Sequence, residues 1–87
     1  PMIGWNNLDL KNNFKIFNNI KQDSFFYFTH SYYCEPKDKG IISSTSNYLD
    51  FNYCSSVSKK NIFATQFHPE KSGEVGLRVY KNFIKII

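Results

Sequence analysis

Asn61-Ile62-Phe63-Ala64-Thr65-Gln66-Phe67-His68-Pro69-Glu70-Lys71-Ser72-Gly73 is an apolar strand that runs out into a pair of proton-handling side chains. A residue before proline is pushed toward extended backbone, and proline fixes its own φ, so the path through His68-Pro69-Glu70 is stiff. In extended backbone, residues two apart point to the same side. The spacing therefore predicts that Glu70 lies beside the His68 imidazole and accepts a hydrogen bond from one ring nitrogen. The other nitrogen is then left as a base of defined tautomer. The stretch itself lacks a nucleophile.

Downstream the period changes. Leu77, Tyr80, Phe83, Ile84 and Ile87 recur at spacings of three and four, with Glu74, Arg78, Lys81 and Lys85 on the other side, which predicts an amphipathic helix over about 73–86. Ser72 is the expected N-cap, Glu74 suits the positive end of the helix dipole, and Lys81 and Lys85 suit the negative end. The helix is expected to lay its apolar stripe on the sheet and so fix the loop that carries His68 and Glu70.

Upstream, β-rich runs predict strands over about 24–33, 41–48 and 51–57, ahead of the strand at 61–67. Leu49-Asp50 and Lys59-Lys60-Asn61 are the turns between the later ones, and the short connections imply a largely antiparallel region within an α/β fold. The strand at 24–33 is nearly continuous in apolar character at its start, which predicts cover on both faces. It leaves through His30-Ser31-Tyr32-Tyr33, and polar side chains at the exit of a buried strand are a common place for α/β sites. His30 reads equally well as a core histidine with a satisfied hydrogen bond. Residues 9–23 read as a surface excursion with one or two helical turns on Phe14, Phe17 and Ile20. Trp5, beside Gly4, is either a core plug or an interface anchor, and composition alone favours the core.

With 87 residues the chain makes at most one domain and buries only about 60 to 65% of the surface its unfolded form exposes. It opens on Pro1 without a signal region and has no apolar run near the roughly 18 residues of a membrane span, so it is expected to be a soluble piece of something longer. Eleven basic against seven acidic residues give +4, but the lysines are scattered and the aromatics sit inside apolar runs. That pattern fits a solvated surface, not a nucleic-acid platform. Cys34 and Cys54 are the only cysteines and are expected as free thiols in a reducing cytoplasm. A zinc site from His30, Cys34, Cys54 and His68 is disfavoured, because structural zinc sites draw ligands in close pairs. No metal or cofactor is expected.

Taken together, Gly4-Trp5-Asn6, Tyr27-Phe28-Thr29-His30-Ser31-Tyr32-Tyr33 and Gln66-Phe67-His68-Pro69-Glu70-Lys71-Ser72, followed by Gly76-Leu77 and Asn82-Phe83, resemble the C-terminal part of the glutaminase subunit of imidazole glycerol phosphate synthase. That subunit is a class I, triad-type glutamine amidotransferase with a flavodoxin-like α/β fold. The resemblance implies that residues 1–87 are the C-terminal portion of a single amidotransferase domain and that His68 and Glu70 are two members of a Cys-His-Glu triad. The family's cysteine sits in a Gly-x-Cys-x-Gly elbow. Neither Cys34 nor Cys54 has those glycines, so the nucleophile is expected in an N-terminal half outside this chain, and the chain alone is expected to be inactive. Ser31 and Tyr32 match the strand end that contacts glutamine. Ile3, Trp5, Tyr27 and Lys71 match positions facing a (β/α)8-barrel cyclase, which shifts Trp5 from core plug toward interface anchor. The chain departs from the family at Met2-Ile3, where His-Met is usual, and at Ala64, where Gly is usual. A paralogous glutaminase serving a surface-polysaccharide synthetase is the first alternative, and a small non-catalytic binding module is the second.

Overall fold

The computed structural model describes residues 2–11, 14–30 and 32–87. Strand β1 (Met2–Asn7) pairs with a strand at Phe25–His30, Met2 opposite His30 and Trp5 opposite Tyr27. Between them lies β2 (Asp9–Leu10), so Phe25–His30 is β3. The second sheet contains β2, β4 (Ile42–Tyr48), β5 (Phe51–Lys59) and β6 (Ile62–Thr65), in the order β2-β4-β5-β6 with every pairing antiparallel. The chain ends in helix α1 (Gly73–Ile86), on the bounds the periodicity predicts. Antiparallel pairing holds for β4 to β6 as expected. β3, however, takes β1 as its partner, and neither β1 nor β2 is evident from composition, because Gly4 and the Asn pairs mask their alternation.

β3 is shorter than the expected 24–33 and alternates. Phe26 and Phe28 are fully buried, whereas Phe25 and Thr29 are exposed. Among the described residues one face is covered rather than two, because the aromatic run supplies both a core face and an outward face. The turn between β4 and β5 holds both central residues at positive φ, +50° at Leu49 and +65° at Asp50, the twist that a two-residue hairpin requires. Inside the β4–β5 pair, buried hydroxyls satisfy one another: Ser43 with Ser56 at 2.7 Å and Ser44 with Ser55 at 2.8 Å.

The stretch expected as one strand over 61–67 joins the two sheets. β6 lies on β5 as far as Thr65, and the Gln66 amide still donates to Ser55 O. Phe67 then bridges to Phe28, and the His68 amide donates to Tyr27 O at 2.8 Å. Phe67 is buried where the sheets meet, its ring 4.6 Å from Phe26 and 5.8 Å from Phe28.

Two other expectations change. Residues 9–23 are not simply a surface excursion: a 3-10 turn at Lys15–Phe17 places Ile16 and Phe17 in the core. Helix α1 buries Gly76, Val79 and Asn82, with Val75, Phe83 and Ile86 packed partly against the core, while Leu77, Tyr80, Ile84 and Ile87 stay exposed. The buried face is rotated from the predicted stripe because two of its central residues are not apolar. Gly76 permits close approach, and Asn82 Nδ2 donates to Ile16 O and Asn18 O, both at 2.8 Å, fastening the helix to the 3-10 turn.

Candidate active site

His68 sits at the point where strand becomes turn. Its backbone is extended, at φ −106° and ψ 96°, and Pro69 opens a 3-10 turn spanning Pro69–Lys71. His68 Nδ1–H donates to Glu70 Oε2 at 2.9 Å. The predicted pairing is present, but the pleat of a strand does not produce it. Extended backbone ends at His68, and the tight turn that proline favours at its first position swings Glu70 back to the ring. With Nδ1 committed to the carboxylate, Nε2 is the nitrogen that can take and return a proton. The His68 hydrogen bond, foremost, holds the Glu70 carboxyl below its usual range, helped by a backbone N–H and by the nearby His68 and Lys71 charges. Both side chains are partly open to solvent, so a substrate can reach them.

The backbone around His68 is held at three points. Its N–H donates to Tyr27 O, its carbonyl accepts from Ser72 Oγ at 2.6 Å, and the same Ser72 Oγ accepts from Tyr27 N at 2.9 Å. Ser72 is only 2% exposed. It occupies the N-cap position of α1 without a capping hydrogen bond to the helix, because its hydroxyl is committed to β3 and His68. The cap expectation is thereby corrected: Ser72 positions the histidine. Gly76 completes the seat, since a Cβ there would lie 1.9 Å from Pro69 O and 2.8 Å from its carbonyl carbon. Sequence reasoning missed both roles. The available signal was a glycine inside an otherwise strong helix, where it costs about 1 kcal/mol relative to alanine and calls for a packing reason.

Three of the four residues matched to a partner face come together. Trp5 and Tyr27 meet edge to face at 5.9 Å, and Lys71 Nζ lies 5.9 Å from the Tyr27 ring centroid. Ile3 lies two residues from Trp5 on the same side of β1 and is 67% exposed. Trp5 is 54% exposed, which corrects the core-plug reading: the register turns Met2 inward and Ile3 and Trp5 outward. Tyr27 belongs both to this patch, through its ring, and to the His68 clamp, through its backbone.

Ser31 lies outside the described residues. Tyr32 is 87% exposed, and its carbonyl accepts from His30 Nδ1 at 2.8 Å. The His30 ring packs beside Phe28 and Tyr53, and its Nε2 is buried without a hydrogen-bond partner among the described residues. The satisfied core histidine is therefore only half realised. Cys34 and Cys54 are free thiols, one exposed and one buried. Among the described residues no three His, Cys, Asp or Glu side chains gather where they could hold a metal ion, and no helix is long and apolar enough to cross a membrane.

Known proteins are similar to this chain over most or all of its length. Residues 1–87 match the family described as glutamine amidotransferase class-I. The imidazole glycerol phosphate synthase subunit HisH of Chlorobium luteolum is 53% identical over 83 residues, covering 95% of this chain and 41% of the relative. The subunits of the same name from Dehalococcoides mccartyi and Pyrococcus furiosus are 49% and 45% identical, each over 99% of this chain, and 42% and 44% of their own lengths are covered. The chain thus spans about two fifths of the curated relatives it matches. These relatives do not favour a polysaccharide-pathway paralogue or a binding module. The mixed α/β architecture, with its sheets and one C-terminal helix, is consistent with part of that fold, and the chain belongs to the glutamine amidotransferase class-I family.

Proposed function

We propose that residues 1–87 are the C-terminal portion of a single glutamine amidotransferase domain that releases ammonia from glutamine for imidazole glycerol phosphate synthesis in histidine biosynthesis. The observation that carries this reading is the 2.9 Å contact of His68 Nδ1 with Glu70, in a chain about half identical to subunits of that synthase. The nucleophilic cysteine is contributed by residues outside this chain, since neither Cys34 nor Cys54 has a glycine on either side.

In this mechanism His68 Nε2 accepts the thiol proton, and the thiolate attacks the side-chain amide carbon of glutamine. The imidazolium then returns the proton to the departing ammonia. Water hydrolyses the resulting thioester to glutamate, with His68 acting again as base. Glu70 keeps the ring in one tautomer and stabilises its positive charge. Ser31 and Tyr32 take the amino and carboxylate end of glutamine, largely through main chain. Ile3, Trp5, Tyr27 and Lys71 face a (β/α)8-barrel cyclase, which uses the ammonia to form imidazole glycerol phosphate and an aminoimidazole carboxamide nucleotide in the cytoplasm. An aromatic pair with a cation over one ring is the composition of an interface hot spot.

The test is glutamate release by the complete protein mixed with the cyclase. His68→Ala is expected to abolish turnover. Retention of full activity in that variant would exclude His68 as the base.

A further inference from the structure

The two cysteines are 20 positions apart in sequence and lie directly opposite one another in space. Cys34 forms an isolated antiparallel bridge with Cys54, a residue of β5. Directly opposed residues of an antiparallel pair project to the same face, and their Cα atoms stand about 4.5 to 5.5 Å apart. That falls inside the roughly 4.4 to 6.8 Å that a disulfide spans. Both cysteines line the same two surface hollows, one continuing to Thr65 and Gln66 and the other to Tyr33 and Pro36. Each sulfur has a replaceable partner: Gln66 Nε2 donates to Cys34 Sγ at 3.8 Å, and Cys54 Sγ–H donates to Ser56 O at 3.3 Å.

We infer that Cys34 and Cys54 form a reversible dithiol–disulfide pair that fastens the segment following β3 to strand β5. The oxidant is a small-molecule disulfide of the glutathione class. The exposed Cys34 reacts first: it loses its proton to solvent, its sulfur bonds to one sulfur of the oxidant, and one glutathione leaves as thiol. The buried Cys54 is out of reach of so bulky a reagent but faces the mixed disulfide across the bridge. It loses its proton, attacks the Cys34 sulfur and expels the second glutathione. Two protein thiols are oxidised and one small disulfide is reduced to two thiols. Burial, foremost, and the neighbouring Cys34 push the Cys54 thiol up, consistent with its acting second. The bond adds a covalent tie to the segment that presents Tyr32, beside the hydrogen bond from His30 to Tyr32, the Gln66 contact with Cys34 and the packing of Tyr33 on Phe51.

The test equilibrates the complete protein in glutathione buffers stepped from reducing to oxidising. Free thiols are then alkylated, and the protein is digested without reduction for mass spectrometry. A peptide joining Cys34 to Cys54, lighter by two hydrogens than its parts, is expected to accumulate as the buffer becomes oxidising and to disappear when thiol is restored. Cys54→Ser is expected to stop at a glutathione adduct on Cys34. Should that buried variant fail to fold, Cys34→Ser, at an exposed position, is expected to lose the joined peptide and leave Cys54 without an adduct. A stable adduct on Cys34 in the unaltered protein with Cys54 still free, or a cross-link from either residue to a different cysteine, overturns the inference.

Discussion

Replacing Gly76 with alanine adds one methyl group where the structure leaves no space for it. The new carbon would stand 1.9 Å from Pro69 O. Real Cβ atoms essentially never come within 3.0 Å of such a neighbour, so the carbonyl must retreat by more than an ångström or the helix must lift. Neither is easy. The Pro69 carbonyl accepts from Ser72 N at 3.0 Å, and α1 is anchored by the hydrogen bonds of Asn82 to Ile16 O and Asn18 O. Overpacking of this kind costs about 1 to 3 kcal/mol, a fall in Tm of roughly 2 to 4 °C for each kcal/mol in a domain of 150 to 250 residues. The functional effect is expected to exceed the stability effect. Pro69 sits between His68 and Glu70, and a misplacement of about 1 Å in a catalytic constellation can cost on the order of 100-fold in rate. Gly40→Ala is the matched control, because its Cβ would meet only the Asp38 side chain, at 3.1 Å. Thermal unfolding and glutamate release by the complete protein check both claims. If Gly76→Ala matches Gly40→Ala in Tm and in rate, the argument that Gly76 seats the His68 turn is refuted.

Ser72→Ala leaves the Tyr27 amide without its acceptor and removes one of the donors to His68 O, for an expected loss of about 1 to 3 kcal/mol; denaturant unfolding measures it, and faster exchange of the Tyr27 amide locates it. Asn82→Leu strips Ile16 O and Asn18 O of their shared donor, with a similar expected cost of about 1 to 3 kcal/mol, although the substitution raises the apolarity of the helix face. A gain in stability would contradict the role given to Asn82. The Glu70 carboxyl titrates below its ordinary value, so the contribution of its ionised form is fully present above the unfolded-state pKa and is lost as pH falls through the lower folded value. A carbon-detected NMR titration is expected to place the Glu70 midpoint below that of a free glutamate side chain. His68→Ala is expected to move it upward, and an unmoved midpoint would remove the hydrogen bond as the cause.

The parts of the fold legible in sequence were those written in one dominant signal. Residues 73–86 show a helical period and form a helix on those bounds. The hairpin at Leu49-Asp50 lies where two β-rich runs meet. His68 and Glu70 were legible as a pair because proline between them leaves few backbone paths, even though the path taken is a turn and not a pleat. The parts that were not legible depend on residues whose types point elsewhere. Gly76 and Asn82 define the buried face of α1, and a hydrophobicity count passes over both. Ser72 has the composition of a cap, and only the position of Tyr27 reveals that its hydroxyl is committed to β3. Trp5 is apolar enough for a core, yet its register opposite Tyr27 turns it outward. For Asn82, Ser72 and Trp5 the deciding partner lies far away in sequence, where spacing carries no information, and for Gly76 it is the Pro69 carbonyl, which only the intervening turn brings against the helix.

The clamp on His68 also sets an order of assembly. Tyr27 and Ser72 are 45 residues apart, and their hydrogen bond forms only after the intervening chain has closed as a loop, an entropic cost that grows with loop length. The hairpin of β4 and β5 and helix α1 rest on local contacts and can form early, whereas contacts between distant segments form slowly. The His68–Glu70 turn therefore acquires its final geometry late in folding. Partly folded chains that already hold their secondary structure lack a positioned base, so recovery of activity on refolding should lag recovery of the helical signal.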